Sequence, residues 1–446
     1  MYISLRTFFV IILKRGKQIL LKLLSVYSVD CGSNVLSNVK IRGAQVALSF
    51  VIGDVHLQNV EISSSLAALS LPSKASLKLT NCRFYDNQFA INAVDAGHVN
   101  VSSCVFERNQ NAVLLRQVQL LDFEDSRFSG NTRSLSVLAL KSHAALFIKR
   151  SRFVDNSVEM TTRQNAHLSA SVEDCLFNSS TLVVSGIHQS LISSIVVANS
   201  TFHSSRVRVS TSVHGLNVSI VGCSFRRMVY QDVIEFSASS LQTVMIADNI
   251  FEENSRASCI KVDVLAVSSD VTAGSINIVD NSFTNHSGAN VIVINDRAYH
   301  QWQLRRNVFQ NPLCPFEIEV QSLWRSGYAI NSSENWWGST NHTYIAERVS
   351  DVFLDSKKAK VSITSVYSDP EMTQLEAFLD ARAWNVTDRK VVGGELDRNV
   401  TLTSSNIPYI VNKTIFIPKG FQLHLKANVT LHFAEQRGVI VEGMFV

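Results

Sequence analysis

Acidic and basic side chains recur at matching positions in the second half of this 446-residue chain, and their types are those used to cleave polysaccharides. A glycoside hydrolase needs two carboxylates about 5–9.5 Å apart, and a polysaccharide lyase combines carboxylates with a basic residue. The candidate catalytic residues are Glu235, Lys261, Asp263 and Glu319, with Asp296 and Glu317 in the same pattern. The alternative is that these residues are ordinary exposed charge pairs, which contribute little energy and have no role in catalysis. We favour this second interpretation.

The elements that must position these residues follow from a pattern that occurs ten times, apolar-x-apolar-x-x-small-x-Phe. Successive phenylalanines are 22 to 32 residues apart, and a repeat period of this length indicates a solenoid. The apolar residues alternate with other residues, which is typical of strands. The ten phenylalanines are Phe84, Phe106, Phe128, Phe153, Phe177, Phe202, Phe225, Phe251, Phe283 and Phe309.

This repeat predicts an all-β fold, a right-handed parallel β-helix of about 12 coils similar to the pectin-lyase solenoid. Two or three short strands fill each repeat and leave no room for a helix, so the coils stack their strands as parallel sheets. Glu235 and Lys261, each ten residues after a repeat phenylalanine, then lie on adjacent coils. Asparagines three residues after the phenylalanine, such as Asn87 and Asn109, are expected at the corners, because Asn tolerates left-handed geometry.

Four of the seven cysteines occupy the position two residues before a repeat phenylalanine: Cys82, Cys104, Cys175 and Cys223. Ser or Asn fills this position in the other repeats, which indicates a requirement for a small residue. We favour stacked free thiols that pack as small apolar groups, and a Cys82–Cys104 disulfide between adjacent coils is the alternative. No CxxC motif or His/Cys cluster predicts a metal, and we expect no cofactor.

The composition excludes several classes of protein. With 46% hydrophobic and 17% charged residues and only 6 prolines, the chain is neither disordered nor fibrous. The formal net charge is +4 and no basic cluster follows the first 22 residues, so nucleic acid is not an expected partner. No segment reaches the roughly 20 apolar residues of a membrane span.

Eleven Asn-x-Ser/Thr sequons favour a secreted or cell-surface glycoprotein. Asn100 and Asn217 fall inside strand patterns and are not among the predicted glycosylation sites. The nine predicted sites are Asn178, Asn199, Asn285, Asn331, Asn341, Asn385, Asn399, Asn412 and Asn428. Residues 1–34 contain a short apolar stretch followed by basic residues, and form an N-terminal segment or a cap of uncertain type.

The β-helix is assigned to residues 35–340, and its end contains a predicted cover. In Trp336-Trp337-Gly338 two indoles are expected to lie over the last coil while the glycine turns the chain. Residues 341–392 form a closing segment and linker, with a helix over 343–354, a strand over 360–367 and a polar helix or linker over 371–388. An alternating pattern over 393–446 predicts the opening coils of a second β-helix unit, truncated in this sequence, which is therefore expected to be a fragment.

Two segments resemble the bark beetle type of animal cell-junction protein. Asn-Trp-Trp-Gly at 335–338, with Arg-Val-Ser-Asp at 348–351 and Val-Tyr-Ser-Asp-Pro at 366–370, is similar to the closing segment of its β-helix units. Residues 408–420 and 438–443 resemble the opening segment of the next unit. The resemblance covers about residues 35–446 and implies a large, membrane-anchored extracellular protein with tandem β-helices at epithelial contacts. It implies no catalytic residue.

We therefore expect a non-enzymatic extracellular scaffold or adhesion protein that belongs to a larger cell–cell junction protein. Its expected partners are other extracellular or junction proteins, further copies of itself, and glycans. The alternatives are a secreted polysaccharide lyase or glycoside hydrolase, and a β-helix that binds carbohydrate without cleaving it.

Overall fold

The computed structural model describes residues 25–26, 34–50, 53–71, 75–139, 143–163, 166–187, 191–211, 215–239, 241–265, 274–379, 382–387, 390–404 and 408–446. Most of the N-terminal segment over 1–34, including Cys31, lies outside the described residues. The chain divides into two compact units. Unit 1 extends to Met228 and includes Glu235–Val244, and unit 2 comprises Val229–Ile234 and Met245–Val446.

Unit 1 consists of short strands that pair in parallel with the equivalent strands of the neighbouring coils. Sheet A contains Ser25–Val26, Val46–Phe50, Ala67–Leu71, Phe89–Val94, Asn111–Arg116, Arg133–Ala139, Ser157–Arg163, Thr181–Ile187 and Arg206–Thr211. Sheet B contains Asn34–Ser37, Val55–Gln58, Leu77–Thr80, His98–Ser102, Leu120–Glu124, His143–Lys149, His167–Glu173, Leu191–Ala198 and Leu216–Val221. Sheet C contains Lys40–Arg42, Glu61–Ser63, Arg83–Tyr85, Val105–Glu107, Arg127–Ser129, Arg152–Val154, Leu176–Asn178, Thr201–His203 and Ser224–Arg226.

Unit 2 repeats the same three-strand coil. Its sheet A strands are Ile260–Val264, Ile292–Asp296, Ile318–Val320 and Val349–Ser350. Its sheet B strands are Ser275–Val279, Gln301–Arg305, Ala329–Asn331 and Lys360–Ser362, and its sheet C strands are Ile250–Glu252, Ser282–Thr284 and Val308–Gln310. The strands Ile234–Ala238 of sheet A and Leu241–Ala247 of sheet B each include a boundary between the units.

The fold is a right-handed parallel β-helix of about 16 turns, and the predicted fold class is confirmed. The prediction of about 12 coils counted the ten repeats with a phenylalanine and two weaker repeats before them. Ile41 and Ile62 occupy the phenylalanine position of two early coils. Val349–Ser350 and Lys360–Ser362 add a further turn that contains no repeat phenylalanine.

Each repeat phenylalanine is fully buried and stacks on its equivalent in the next coil of the same unit. In unit 1 the ring centroids from Phe84 to Phe225 are 4.6–5.3 Å apart. In unit 2 the stack from Phe251 to Phe309 continues to the buried Trp337, whose ring centroid lies 5.0 Å from that of Phe309. Stacked rings of this kind contribute energy beyond the burial of their area.

The corners of the coil differ from the prediction, because the asparagine itself does not take the left-handed conformation. Asp86 and Arg108 have φ of 54° and 50°, and each immediately precedes a buried asparagine, Asn87 or Asn109. The left-handed residue turns the chain, and this turn aims the following amide inward.

The inward amides form a ladder along the coil axis. Asn109 Oδ1 accepts hydrogen bonds from the backbone N–H and the Nδ2 of Asn87, both at 3.0 Å. Asn109 Nδ2 donates to the Phe84 carbonyl and to Asn131 Oδ1, also at 3.0 Å. A similar ladder in unit 2, at the position two residues before the phenylalanine, runs through Asn249, Asn281, Asn307 and Asn335. The ladders satisfy backbone groups that the corners would otherwise leave without partners.

The predicted cover is correct for one of its two indoles. Trp337 lies over Phe309, whereas Trp336 is half-buried and faces outward, because neighbouring residues of an extended chain point to opposite sides. Gly338 has a φ of 76°, and a Cβ atom at this position would lie 3.1 Å from the Phe309 carbonyl oxygen. A glycine therefore fits this turn better than any other residue.

The closing segment contains less helix than the sequence predicted. The helix spans His342–Glu347 and not 343–354, because Arg348 turns inward to bind Glu317 and Val349–Ser350 joins sheet A. The region 371–388 contains the strands Leu375–Ala377 and Asn385–Thr387 where a helix or linker was predicted. Leu375–Ala377 forms an antiparallel hairpin with Ser365–Tyr367 and satisfies its backbone groups.

Residues 391–446 form further parallel strands within unit 2, and their assignment to a second β-helix unit stays a prediction. One sheet contains Val391–Glu395, Tyr409–Ile417, Leu431–Phe433 and Val439–Val441, with Asn385–Thr387 paired antiparallel to the first strand. The other contains Val400–Leu402, Gln422–Leu425 and Met444–Phe445. Phe416 and Ile440 pack on Val352 and Phe353, which joins these strands to the closing segment.

Candidate functional surface

Glu235 lies on the outer face of sheet A in unit 1, between two arginines of the strand Arg206–Thr211. Its Oε2 is 3.3 Å from Arg208 Nε and 4.0 Å from Arg206 Nη1. The Nε atoms of Arg206 and Arg208 make no aligned hydrogen bond, so their contacts with Glu235 are mainly electrostatic. The Glu235 side chain is 19% exposed. Two cations around one carboxylate form an ion-pair cluster with one excess positive charge.

Lys261 and Asp263 lie on one strand of unit 2 and also have local partners. Lys261 Nζ is 3.7 Å from the Asp232 carboxylate. Asp263 Oδ1 accepts a hydrogen bond of 2.9 Å from Asn295 Nδ2, and Asn295 is its in-register neighbour on the next strand. These contacts orient both side chains along the sheet.

Glu319 lies on sheet A of unit 2, in register with Lys261 and separated from it by one strand. Its carboxylate accepts a 2.7 Å hydrogen bond from Asn290 Nδ2 and lies 3.7 Å from Lys358 Nζ. Two strand spacings and two residues separate the backbones of Asp263 and Glu319, about 12 Å in total. The two carboxylates are held by different partners, Asp263 by Asn295 and Glu319 by Asn290 and Lys358.

Asp296 is not on the outer surface, in contrast to the prediction. The side chain is fully buried, because alternation along the strand Ile292–Asp296 places it on the inward side with Ile292 and Ile294. His300 Nδ1 and Trp302 Nε1 each lie 2.9 Å from its carboxylate, and Tyr328 Oη lies at 3.3 Å. Burial alone would raise the pKa of Asp296, but the hydrogen bonds from His300 and Trp302 bring this pKa below its ordinary value.

Glu317 is also fully buried, and the prediction of an exposed position is wrong for this residue too. Glu317 immediately precedes the strand Ile318–Val320, at the corner where the equivalent residues Cys259 and Val291 are also buried. The corner, and not the alternation of the strand, directs its side chain to the core. Arg348 Nη2 lies 3.0 Å from Glu317 Oε1, and Asn311 Nδ2 donates to Oε2 at 2.9 Å. Burial raises the pKa of Glu317, although these two donors oppose the shift. A buried pair of this kind fixes the closing segment, because loss of either partner leaves a charge without solvation.

The repeat cysteines are buried free thiols. The N–H of Cys82 donates to Cys104 Sγ at 3.4 Å, so a hydrogen bond and not a disulfide joins these adjacent coils. Burial raises the pKa of Cys175 to about 12 and that of Cys223 to about 11. Thiols with such pKa values are poor nucleophiles at neutral pH. No group of three or more His, Cys, Asp or Glu residues suited to a metal ion occurs in the described part of the chain.

None of the predicted glycosylation sites has a buried side chain. Asn178 and Asn331 are half-exposed, and Asn331 Nδ2 donates to Gln303 Oε1 at 2.8 Å. Asn341 caps the helix through its Oδ1, which leaves its Nδ2 toward solvent. The exposed sites are Asn199, Asn285, Asn341, Asn385, Asn399, Asn412 and Asn428, and the strand residues Asn100 and Asn217 are exposed as well. Glycosylation of these residues remains a prediction.

The comparison with known families agrees with this geometry. Residues 25–177 match the family model described as a right-handed beta helix region. The chain contains a right-handed β-helix. No curated protein and no solved structure matches it.

Several partners of the β-helix surface were not found from the sequence. Arg206 and Arg208 alternate on one strand, and that spacing was the available signal for a shared outer face. The buried pairs of Glu317 with Arg348 and of Asp351 with Arg382 join residues 31 positions apart. The repeat register does not extend into the closing segment, so no sequence signal connected these residues. Among the described residues, no helix has the length and apolar character needed to cross a membrane.

Proposed function

We infer that this chain is a non-enzymatic extracellular scaffold or adhesion protein, and that it forms part of a larger membrane-anchored cell-junction protein. The observation that carries the inference is that every candidate catalytic residue is bound to a neighbouring side chain. Glu235, Lys261, Asp263 and Glu319 are each held by a local ion pair or hydrogen bond. Each of these charged side chains is oriented by a neighbour on an adjacent coil. This arrangement supports a patterned surface more than a pair of residues that converge on a substrate as acid and base.

The interior supports a mechanical role. Stacked aromatic rings and amide ladders repeat from coil to coil, so each unit has a continuous core. A solenoid of this kind holds outward residues at fixed spacings of about 4.8 Å. Such a body acts as a rigid spacer that presents a patterned surface to other extracellular or junction proteins, or to a second copy of the same chain.

The sequons support an extracellular location. Seven of the nine predicted sites are exposed, where a glycan can be carried without disturbing the core. Glycans on these asparagines would shield part of the surface and restrict where a partner can dock. A junctional location is supported by the resemblance of the closing and opening segments alone.

Two assays test the proposal. The chain is expressed with a secretion signal in animal cells, and treatment with an N-glycosidase should increase its mobility on a gel. Beads coated with the secreted protein are then tested for aggregation and for binding to epithelial cells. An unglycosylated product that binds neither beads nor cells would contradict the scaffold proposal.

The enzymatic alternative is tested with the same protein. Release of reducing ends or unsaturated products is measured on a panel of acidic and neutral polysaccharides. The control is the triple variant Glu235→Gln, Asp263→Asn and Glu319→Gln, which preserves side-chain volume. Turnover by the parent that the variant lacks would establish a carbohydrate-active enzyme, and binding without turnover would indicate a carbohydrate-binding β-helix.

A further inference from the structure

A groove of about 280 Å³ opens on the outer face of sheet C in unit 2. Its floor is formed by Ile250, Ser282 and Val308, which lie in register on three successive strands. Ile250 is 44% exposed, an unusual value for a large apolar side chain on this sheet. The floor therefore offers a strip of apolar surface about two strand spacings long, or ~10 Å.

One wall of the groove is a row of charged corner residues. Asp248, Asp280 and Arg306 have φ of 55°, 57° and 53° and occupy the same corner in successive coils. Arg306 Nε donates to Asp280 Oδ1 at 2.6 Å, and its Nη2 binds Oδ2 in a fork. Among the described residues no cation or hydrogen-bond donor contacts the exposed Asp248 carboxylate. The row therefore has one uncompensated negative charge.

Met372 borders the groove from a tight loop of the antiparallel hairpin. The loop is held by Asp369, whose carboxylate accepts hydrogen bonds from the backbone N–H and the hydroxyl of Thr373 and from the N–H of Gln374. Met372 has a φ of 58°, and the loop keeps this residue at the turn. A flexible thioether at this position adapts to an apolar guest.

We propose that this groove binds a lysine side chain of a partner protein. The four methylenes of lysine cover the strip of Ile250 and Val308 and contact Met372, as the stems of charged side chains commonly do on apolar surfaces. The ammonium group then lies between the carboxylates of Asp248 and Asp280, which are about one strand spacing apart. The proposal rests on the proposed function, because it names the chemistry by which the scaffold recognises a protein partner.

The charges select this occupant. An anionic group would face two carboxylates, and only one of them is neutralised by Arg306. A neutral apolar side chain would leave the Asp248 carboxylate beside it without a partner. The compact ammonium of lysine has three donors and fits between two carboxylates more readily than the planar fork of arginine.

The test uses the full chain with ¹³C-labelled methionine methyl groups and follows the Met372 signal by NMR. The probe is Nα-acetyl-lysine N-methylamide, and the uncharged comparison is Nα-acetyl-norleucine N-methylamide. The lysine probe should shift the Met372 methyl resonance with millimolar affinity, and added salt should weaken binding. Asp248→Asn should reduce the affinity about tenfold, a change of one decade. Asn tolerates the left-handed corner, so this variant is expected to fold.

Asp174→Asn is the matched control, because Asp174 occupies the same corner position in unit 1 with a φ of 53° and is exposed. This variant should bind the lysine probe with the affinity of the parent. Equal affinity for the norleucine probe, a shift with methyl glucoside but not with lysine, or no shift with the lysine probe would each overturn the proposal. These results leave the bead and cell assays unaffected, so failure of the groove and failure of the scaffold role are distinguishable.

Discussion

Replacement of Asn109 tests whether the amide ladder, and not packing alone, holds adjacent coils together. Asn109 is 1% exposed and makes four side-chain hydrogen bonds. Asn109→Ala removes all four. Asn109→Ser is the informative comparison, because Ser180 fills the equivalent ladder position and its hydroxyl accepts from the N–H of Asn156 and donates to the Phe153 carbonyl.

The magnitude follows from the groups left without partners. Alanine leaves the N–H of Asn87, one Nδ2 hydrogen of Asn87 and the Phe84 carbonyl without the partner that Asn109 supplied. At about 1–3 kcal/mol for each of these three buried polar groups, the loss is about 3–9 kcal/mol. Serine restores two of the three contacts and leaves one group without a partner, so its loss is about 1–3 kcal/mol.

Hydrogen–deuterium exchange of the peptide that contains Asn87 is the appropriate assay, because a repeat protein need not unfold in one step and local opening has its own free energy. Asn109→Ala should accelerate exchange of this peptide by about a hundredfold or more, and Asn109→Ser by roughly tenfold. Asn92→Ala, at an outward position of sheet A, should leave it unchanged. Equal effects of alanine and serine would refute the ladder argument, because packing loss alone would then explain the data.

Three further changes probe other parts of the β-helix. Phe153→Ala should lower the urea midpoint of unit 1 by the equivalent of about 3–5 kcal/mol, because the buried ring contacts its neighbours on both sides at 4.9 Å; Phe153→Leu should cost less, and equal losses would contradict a stacking contribution. Gly338→Ala should destabilise unit 2 by about 1–2 kcal/mol, measured by thermal unfolding, because alanine is strained at positive φ. Burial lowers the pKa of His286 to about 4, so its stabilising contribution is complete above pH 6.5 and is lost as the pH falls toward 4; urea titrations at pH 7 and 4.5 should differ by up to about 3 kcal/mol in unit 2, and His286→Gln should reduce that difference.

The sequence predicted the fold because its inward positions repeat. A phenylalanine every coil, preceded by two alternating apolar residues, leaves few alternatives to a stacked β-coil. The corner chemistry was assigned one residue too late, since asparagine was chosen for its tolerance of left-handed geometry. In the structure Asp86 and Arg108 take that geometry, and Asn87 and Asn109 use their amides inside. Composition cannot separate these two uses of asparagine, because both favour corners.

The candidate surface was predicted less well, for a physical reason. The outward positions need only be soluble, so their residue types do not repeat from coil to coil. Which of them contact each other depends on the exact register between coils. Asp296 has the inward parity of Ile292 and Ile294, one position after the outward Asn295, and Glu317 occupies the buried corner before its strand. Arg348 could not be assigned to Glu317 from spacing, because the closing segment leaves the repeat.

The distinction between inward and outward residues also indicates where function has to be sought in this β-helix. Inward amides and rings are satisfied coil by coil, and outward charges mostly find a partner one coil away, as Arg108 does with Asp86 and Arg306 with Asp280. Like charges on adjacent strands repel each other. Asp248 lies one coil from Asp280 and contacts no cation in the described structure, so a cation supplied from outside would relieve this repulsion. A partner that provides a lysine at this corner therefore gains binding energy without any rearrangement of the solenoid.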